Sequence, residues 1–440
     1  MATQNSGGVQ LLVVFLLALV VIEPHRAKGW RNPTPVWTDG FDHFGATPTG
    51  PLLGICESLV TVHGYPCAEY KVKTQDGYIL SVQRIPNGRG GSGSRENKQP
   101  VLLQHGVLMD GMTWLLQSTD QSLGFVLADT GFDVWIANSR GTRWSRRHES
   151  LDPSDLVIFL SSQSIPGRSR ISFEAPQAFW NWTWDEMAEF DLRAVLDFVH
   201  SQTGQKVDYV GHSMGTLIAL AAFSQGKLMD RIRSAALLCP VAYLSHMTTA
   251  TGQLAAKAFV GEITTGLGIP EFNPKGKVVG DFLKTLCADP SVDCYDLMTA
   301  FTGKNCCLNE STVDLFLKNE PQSTATKNMV HLAQTVRDGV VRKFDYGNVA
   351  VNIMQYGEKS PPIYDLPSIP HNLPLFLSYG GQDALADPRD VDLLLDALKL
   401  HDGDKLTVQF VEDFAHADFV MGVSAKRIVY DALIAFFRRH

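Results

Sequence analysis

The stretch YVGHSMGTLIALAAF, residues 209–223, sets one serine between two glycines, after a run of strand formers and before an apolar helical run. Glycine serves where a backbone turns sharply or lies close to another chain. A plain structural turn rarely needs two glycines spaced evenly about a serine. A strained strand-to-helix turn that holds a serine hydroxyl free above a sheet does need small residues two positions to either side. Gly211, Ser213 and Gly215 meet that need residue by residue. The spacing therefore predicts strand, turn and helix here, with Ser213 as a nucleophile.

Working outward, the same alternation repeats. KVDYVGHS reads as the strand and MGTLIALAAFSQ as the helix that follows. Upstream, PVLLQHG is a buried strand feeding a loop, and FVLADTGFDVWIANSRG is a helix end, turn, strand and loop. WDEMAEFDLRAVLDFVHSQTG has helical spacing and stops on Gly204. AEYKVKTQDGYILSVQRI alternates on both sides of Asp76-Gly77, a hairpin signal. Downstream, LPLFLSYGGQDALADP gives a strand and loop, RDVDLLLDALK a helix, KLTVQFVEDFAHADF a strand and loop, and AKRIVYDALIAFFRR a closing amphipathic helix. Such alternation predicts an α/β protein with a mostly parallel sheet covered on both faces. Between Val241 and Asp365 the pattern changes to amphipathic apolar stretches without clear strands, which predicts an inserted helical cap or lid. The expected organisation is a leader over residues 1–28, the first part of the core over 29–240, the cap over 241–365 and the last part of the core over 366–440.

The chain has 440 residues, enough for a large core, with 45% apolar and 19% charged residues and a net charge of −8. That charge argues against a nucleic-acid partner. The apolar run from Val9 to Ile22 is short for a membrane span and suits a signal peptide, with cleavage near Ala27 to Gly29. A secreted or lumenal destination is expected. Seven cysteines fit an oxidising compartment. Cys56 and Cys67, and Cys287 and Cys294, each flank a short loop that a disulfide could close. The adjacent Cys306 and Cys307 strain a simple pairing scheme, and Cys239 is expected to be a buried thiol. No spacing reads as a zinc site. Asn181-Trp-Thr and Asn309-Glu-Ser are N-glycosylation acceptors in a secreted chain.

A serine needs a base, and the base an orienting acid. With this nucleophile turn, the order along the chain is serine, acid, histidine. Of the late histidines, His401 lies in the polar turn LHDGDK, His440 ends the chain and His371 precedes the strand it would have to follow. His416 sits in the loop after LTVQFVE and is expected to be the base. Asp383, closing FLSYGGQD, is the expected acid, and Asp387 the runner-up. For Asp387 and Asp390, charge at a helix N-terminus is the better reading. The oxyanion donors are expected to be the backbone N–H groups of Met214 and Val107, with Leu108 as the alternative to Val107. His105 is expected to shape its turn, and His212 to point away from the site.

These residues carry a resemblance. LLQHGVLMDGMTW, LGFVLADTGFDVWIANSRGTRWSRRH, FWNWTWDEMAEFDL, YVGHSMGT, GGQDALADPRDVDLLL and FAHADFVMG are similar to the acid lipases, the gastric and lysosomal branch of the α/β-hydrolases, and to its plant members above all. The resemblance covers most of Glu57 to Arg439. It implies the α/β-hydrolase fold, Ser213, Asp383 and His416 as a triad, no cofactor, and hydrolysis of neutral-lipid esters such as triacylglycerols at an oil–water or membrane surface. It leaves oligomeric state open. An acyltransferase on the same site and a lipid-binding member without turnover are the competing readings. Two departures stand out. Family members usually carry glutamine where this chain has Met214, and LVIFLSSQSIPGRSRISFEAP, Leu156 to Pro176, intervenes where similar sequences run almost directly from LDPSD into QAFWNWTWDE. The segment is expected to be a retained intron or splice variant, with a genuine surface-loop insertion as the alternative; its apolar start would be awkward on an exposed loop.

Overall fold

A computed structural model describes residues 54–89, 98–154, 179–249, 253, 269–275 and 297–440. The expected leader, the Leu156–Pro176 segment and the Cys287/Cys294 pair lie outside the described residues.

The alternating stretch about Asp76-Gly77 forms the expected hairpin. Its strands are β1 (Ala68–Lys73) and β2 (Ile79–Ile85), paired antiparallel with Lys73 opposite Ile79. The Thr74 N–H closes the turn on the Tyr78 carbonyl at 2.8 Å. The strands that follow are β3 (Pro100–Gln104), β4 (Asp133–Ala137), β5 (Val207–His212) and β6 (Ile232–Leu238). After β7 (Glu271–Phe272) and β8 (Thr324–Ala325), which pair only with each other, come β9 (Leu375–Gly380) and β10 (Leu406–Val411). The main sheet runs β1-β2-β4-β3-β5-β6-β9-β10, with β1, β2 and β4 joined antiparallel and every other pair parallel. β3, β4, β5 and β9 are buried along their whole length, which explains why they read as unbroken apolar runs: a parallel sheet is covered on both faces.

The covering helices follow from their sequences. Met214–Ser224 is apolar on every side and every residue of it is buried. The stretch from Trp184 to Thr203 begins with a capping box, in which Thr183 and Glu186 satisfy each other's backbone donors, and ends on Gly204 at φ 69°. The closing helix Asp431–Arg439 buries Leu433, Ile434, Phe436 and Phe437 and leaves its arginines outside.

Between β6 and β9 the described residues include the helices Leu297–Thr302, Glu310–Asn319, Thr326–Asp338 and Val349–Tyr356. One expectation is corrected here. This segment also carries the β7–β8 pair, which sequence reading missed because two residues per strand are too few to display alternation. Cys56 and Cys67 are bonded as the spacing allowed, Cys306 and Cys307 are bonded to each other, and Cys239 is a buried free thiol. The carboxyl ends of β3, β5, β9 and β10 open into loops on the same edge of the sheet, where open α/β sheets bind ligands.

Candidate active site

Ser213 stands between β5 and the helix Met214–Ser224 with φ 55° and ψ −123°, a conformation L-residues rarely adopt. The surroundings hold it there. Its N–H donates to Leu238 O at 3.1 Å, and its carbonyl accepts the Thr216 N–H at 2.8 Å and hydroxyl at 2.6 Å. The glycines answer to close approach: a Cβ on Gly211 would lie 2.9 Å from the Gly215 backbone, and one on Gly215 would lie 2.6 Å from Gln104 O. Gly106 is constrained from the facing loop, where a Cβ would sit 2.9 Å from Ser213 Cβ. Even spacing about the serine is therefore a packing requirement at the crossing of β3, β5 and the helix.

The loops after β9 and β10 bring Asp383 and His416 together. His416 Nδ1 lies 2.8 Å from Asp383 Oδ2 and 3.1 Å from Oδ1, and Oδ1 also accepts the N–H groups of Leu385 (2.9 Å) and Ala386 (2.8 Å). Burial alone would raise the Asp383 carboxyl, but the imidazole charge, its hydrogen bond and the two amides together bring it below the usual carboxylate value. His416 Nε2 is buried and has no partner among the described residues. A buried ring nitrogen left open opposite an Asp-bound Nδ1 is poised to accept a proton from a ligand or a neighbouring hydroxyl.

The remaining candidates separate clearly. Asp387 caps the helix Pro388–Ala397 by accepting from the Arg389 N–H at 3.0 Å, and it pairs with the Arg389 side chain, as a helix N-terminal charge should. Asp390, buried in the first turn of that helix, accepts from the His246 N–H at 2.9 Å. His401 bonds Leu373 O at 2.7 Å and His371 is exposed at the far end of β9. His105 shapes its turn, with Nδ1 2.8 Å from Gly106 O and Nε2 accepting the Ser139 N–H at 3.0 Å. Leu108, beside Val107, has φ 59°. Met214 opens its helix, so its N–H has no intrahelical acceptor. Its side chain docks on the helix Thr326–Asp338, with Asn328 Nδ2 3.5 Å from the sulfur.

One expectation fails. His212 does not point elsewhere: its ring lies 4.8 Å from that of His416, and Nε2 donates to His416 O at 3.1 Å. Burial, then the neighbouring His416, pushes the His212 imidazole down to about 3, so it is neutral. Residue alternation along β5 says only which side of the sheet His212 takes, and the loop that arrives there lies far along the chain. Sequence reading also missed Thr302, whose carbonyl accepts the N–H groups of His416 (3.1 Å) and Ala384 (3.4 Å), and Asp418, which accepts those of Ala415, Cys306 and Cys307. No local pattern announces either. His212, Cys239 and His416 offer ligand atoms within 4.8 Å of one another; His212 Nε2 and His416 Nδ1 have protein partners, whereas His212 Nδ1 and His416 Nε2 have none among the described residues.

Known proteins resemble this chain in sequence and in fold. The chain matches the description "alpha/beta hydrolase fold" over residues 99–421 and a partial α/β-hydrolase lipase region over residues 56–118. It is 57% identical to Triacylglycerol lipase 2 of Arabidopsis thaliana over 388 residues, 88% of each chain. It is 35% identical to the human lysosomal acid lipase/cholesteryl ester hydrolase, covering 87% of this chain and 90% of that one. Among solved structures, a candidate lipase from Sulfolobus solfataricus superposes with a TM-score of 0.53 at 16% identity, over 90% of this chain and 98% of the other, a likeness of fold. No helix among the described residues is long and apolar enough to cross a membrane.

Proposed function

The chain belongs to the α/β-hydrolase family, in its lipase branch, and is a carboxylic ester hydrolase; on that premise we propose that it cleaves neutral-lipid esters, triacylglycerols first, with Ser213 as nucleophile, His416 as base and Asp383 as the orienting acid. The observation that carries the assignment is the buried Asp383–His416 pair with an open Nε2, at the sheet edge where Ser213 is held in its strained turn.

Each proton has a place to go. Ser213 Oγ attacks the ester carbonyl carbon and its proton passes to His416 Nε2. Asp383 stays ionised and steadies the imidazolium through Nδ1. The carbonyl oxygen, now an anion, accepts from the backbone N–H groups of Met214 and Val107, with Leu108 adjacent. The alcohol leaves with the proton from Nε2. Water then attacks the acyl-enzyme, returns a proton to Nε2, and Ser213 departs with it as the fatty acid is released.

The segment 241–365 serves as the cap over the acyl-binding side. The leader 1–28 directs the chain to a secreted or lumenal site, and the exposed Asn181 and Asn309 are the glycosylation positions there. Because one relative is named for cholesteryl ester hydrolysis, sterol esters are the second substrate class to assay. The test is fatty-acid release from emulsified long-chain triacylglycerol by the wild type beside Ser213→Ala. Loss of about three orders of magnitude or more in the variant is expected; release that persists would remove Ser213 from the mechanism.

A further inference from the structure

Two buried carboxyl groups meet beside the loop that follows β3. Asp110 and Glu320 are both fully buried. The Asp110 N–H donates to Glu320 Oε1 at 3.0 Å, Asp110 Oδ1 accepts the Met112 N–H at 2.8 Å, and Asp110 Oδ2 accepts from Arg143 Nε at 2.9 Å. Glu320 Oε2 is buried and finds no donor among the described residues. Two carboxylates in contact and cut off from water cannot both ionise, so one holds a proton. Asp110 has a cation and an amide on its oxygens and is the carboxylate; Glu320 is the acid. Burial first, then the charge and hydrogen bond of Asp110, raise the Glu320 carboxyl well above its ordinary value.

The same segment grips the loop a second time. Gln322, two residues on, donates its N–H to Leu108 O at 2.8 Å, and its Oε1 accepts the Arg143 N–H at 3.3 Å. Leu108 is the residue held at φ 59°. A branched residue stays in that region only where its surroundings over-determine it. Residues 320–322, just after the helix Glu310–Asn319, thus clamp both ends of the 108–110 turn, next to the N–H groups assigned to the oxyanion.

We propose that Glu320, as a carboxylic acid whose Oε1 accepts the Asp110 N–H, is a positioning residue that fixes the Val107–Leu108 turn for the developing oxyanion. The proposal rests on the Ser213 reading above. Ionisation of Glu320 would set two carboxylates against each other and release the turn. The loss falls on kcat, because the N–H groups are needed most when the oxyanion forms. The other charged or titratable groups facing the pair are Arg143 after β4, Lys275 after β7 and His105 after β3, which burial holds neutral. Of these, Arg143 and Lys275 interact electrostatically with Glu320 itself, so the comparison is made across the whole pH range and not at one pH.

Glu320→Gln separates this from a packing role. The amide keeps the acceptor for the Asp110 N–H and carries no charge at any pH. Tributyrin hydrolysis would be followed as kcat and KM from acid to alkaline pH for the wild type, Glu320→Gln, Glu320→Ala and Ser213→Ala. The wild-type kcat is expected to fall on the alkaline side, and Glu320→Gln to retain about ten-fold more than the wild type there, with KM within about two-fold. Glu320→Ala should lose about ten-fold in kcat throughout. A wild type without an alkaline fall, superimposable profiles for wild type and Glu320→Gln, or a wild-type kcat in Glu320→Ala would each overturn the proposal. Should Glu320→Ala not fold, the wild type and Glu320→Gln carry the test alone. Release that survives Ser213→Ala would instead mark failure of the underlying mechanism, whatever the behaviour at position 320.

Discussion

Asp383 uses its two oxygens for different work. Oδ1 is held by the N–H groups of Leu385 and Ala386, while Oδ2 makes the shorter contact with His416 Nδ1. In Asp383→Asn the two backbone donors still require an oxygen, so the amide nitrogen must take the Oδ2 position. It then offers a proton to Nδ1, and the imidazole carries its own proton on Nε2, where it cannot accept from Ser213. We expect kcat for a soluble short-chain ester to fall by about 10³–10⁴-fold, with unchanged circular dichroism, since the shape of the site is preserved. A fall of less than about ten-fold would mean that Asp383 does not set the tautomer. The proposed relay was read from the sequence by the place of each residue relative to a strand end, and the structure puts Asp383 and His416 in hydrogen-bond contact. His212 and Glu320 were not legible in this way. Their importance comes from which distant loop arrives against them, and burial against a particular neighbour leaves no local pattern.

At the scale of elements, the loops of Asp383 and His416 are coupled through a third segment. The helix Leu297–Thr302 ends where Thr302 O accepts an N–H from each loop, and Gly303 then runs antiparallel to Asp383 at φ 94°. A Cβ on Gly303 would lie 2.0 Å from Gln382 O, a backbone atom that cannot step aside as a side chain could. Gly303→Ala is therefore expected to push apart the segment that bridges the acid and base loops. Purified Gly303→Ala should lose about ten-fold or more in kcat on a soluble ester while its far-ultraviolet spectrum stays that of the wild type. Wild-type kcat would show that the bridge does not position the pair. Most elements were legible: period-two runs became strands, helical spacing became helices, and Gly204 ended its helix as expected. The π-type turn at Met187–Asp191 was not, because its apolar spacing differs too little from that of an α-helix over five residues.

Across the whole molecule, three distant parts of the chain meet at one buried cation. Arg140, in the loop after β4, is fully buried and pairs with Asp76 of the β1–β2 turn at 2.7 Å and with Asp191 at the head of the helix Leu192–Thr203 at 2.5 Å. Its guanidinium also lies over the Tyr78 ring, 4.0 Å from the centroid. The antiparallel edge of the sheet, the parallel centre and a covering helix are thus fastened by one side chain. A buried ion group of this kind need not add net stability over a well-packed apolar one, because desolvation offsets attraction; what it does is penalise removal of one member. Arg140→Met would leave Asp76 and Asp191 beside each other without a counter-ion and should destabilise the fold by about 3–5 kcal/mol. Unfolding of a chain this large with free and bonded cysteines is best followed as a rate, so the readout is the half-life of esterase activity at elevated temperature. Adding Asp76→Asn and Asp191→Asn to Arg140→Met removes the stranded charges and is expected to recover most of the lost half-life. If Arg140→Met alone decays at the wild-type rate, the cluster does not fasten the sheet edge to the core. If the triple variant decays as fast as the single one, the loss lies in the guanidinium's packing on Tyr78 and its hydrogen bonds, and not in unpaired charge.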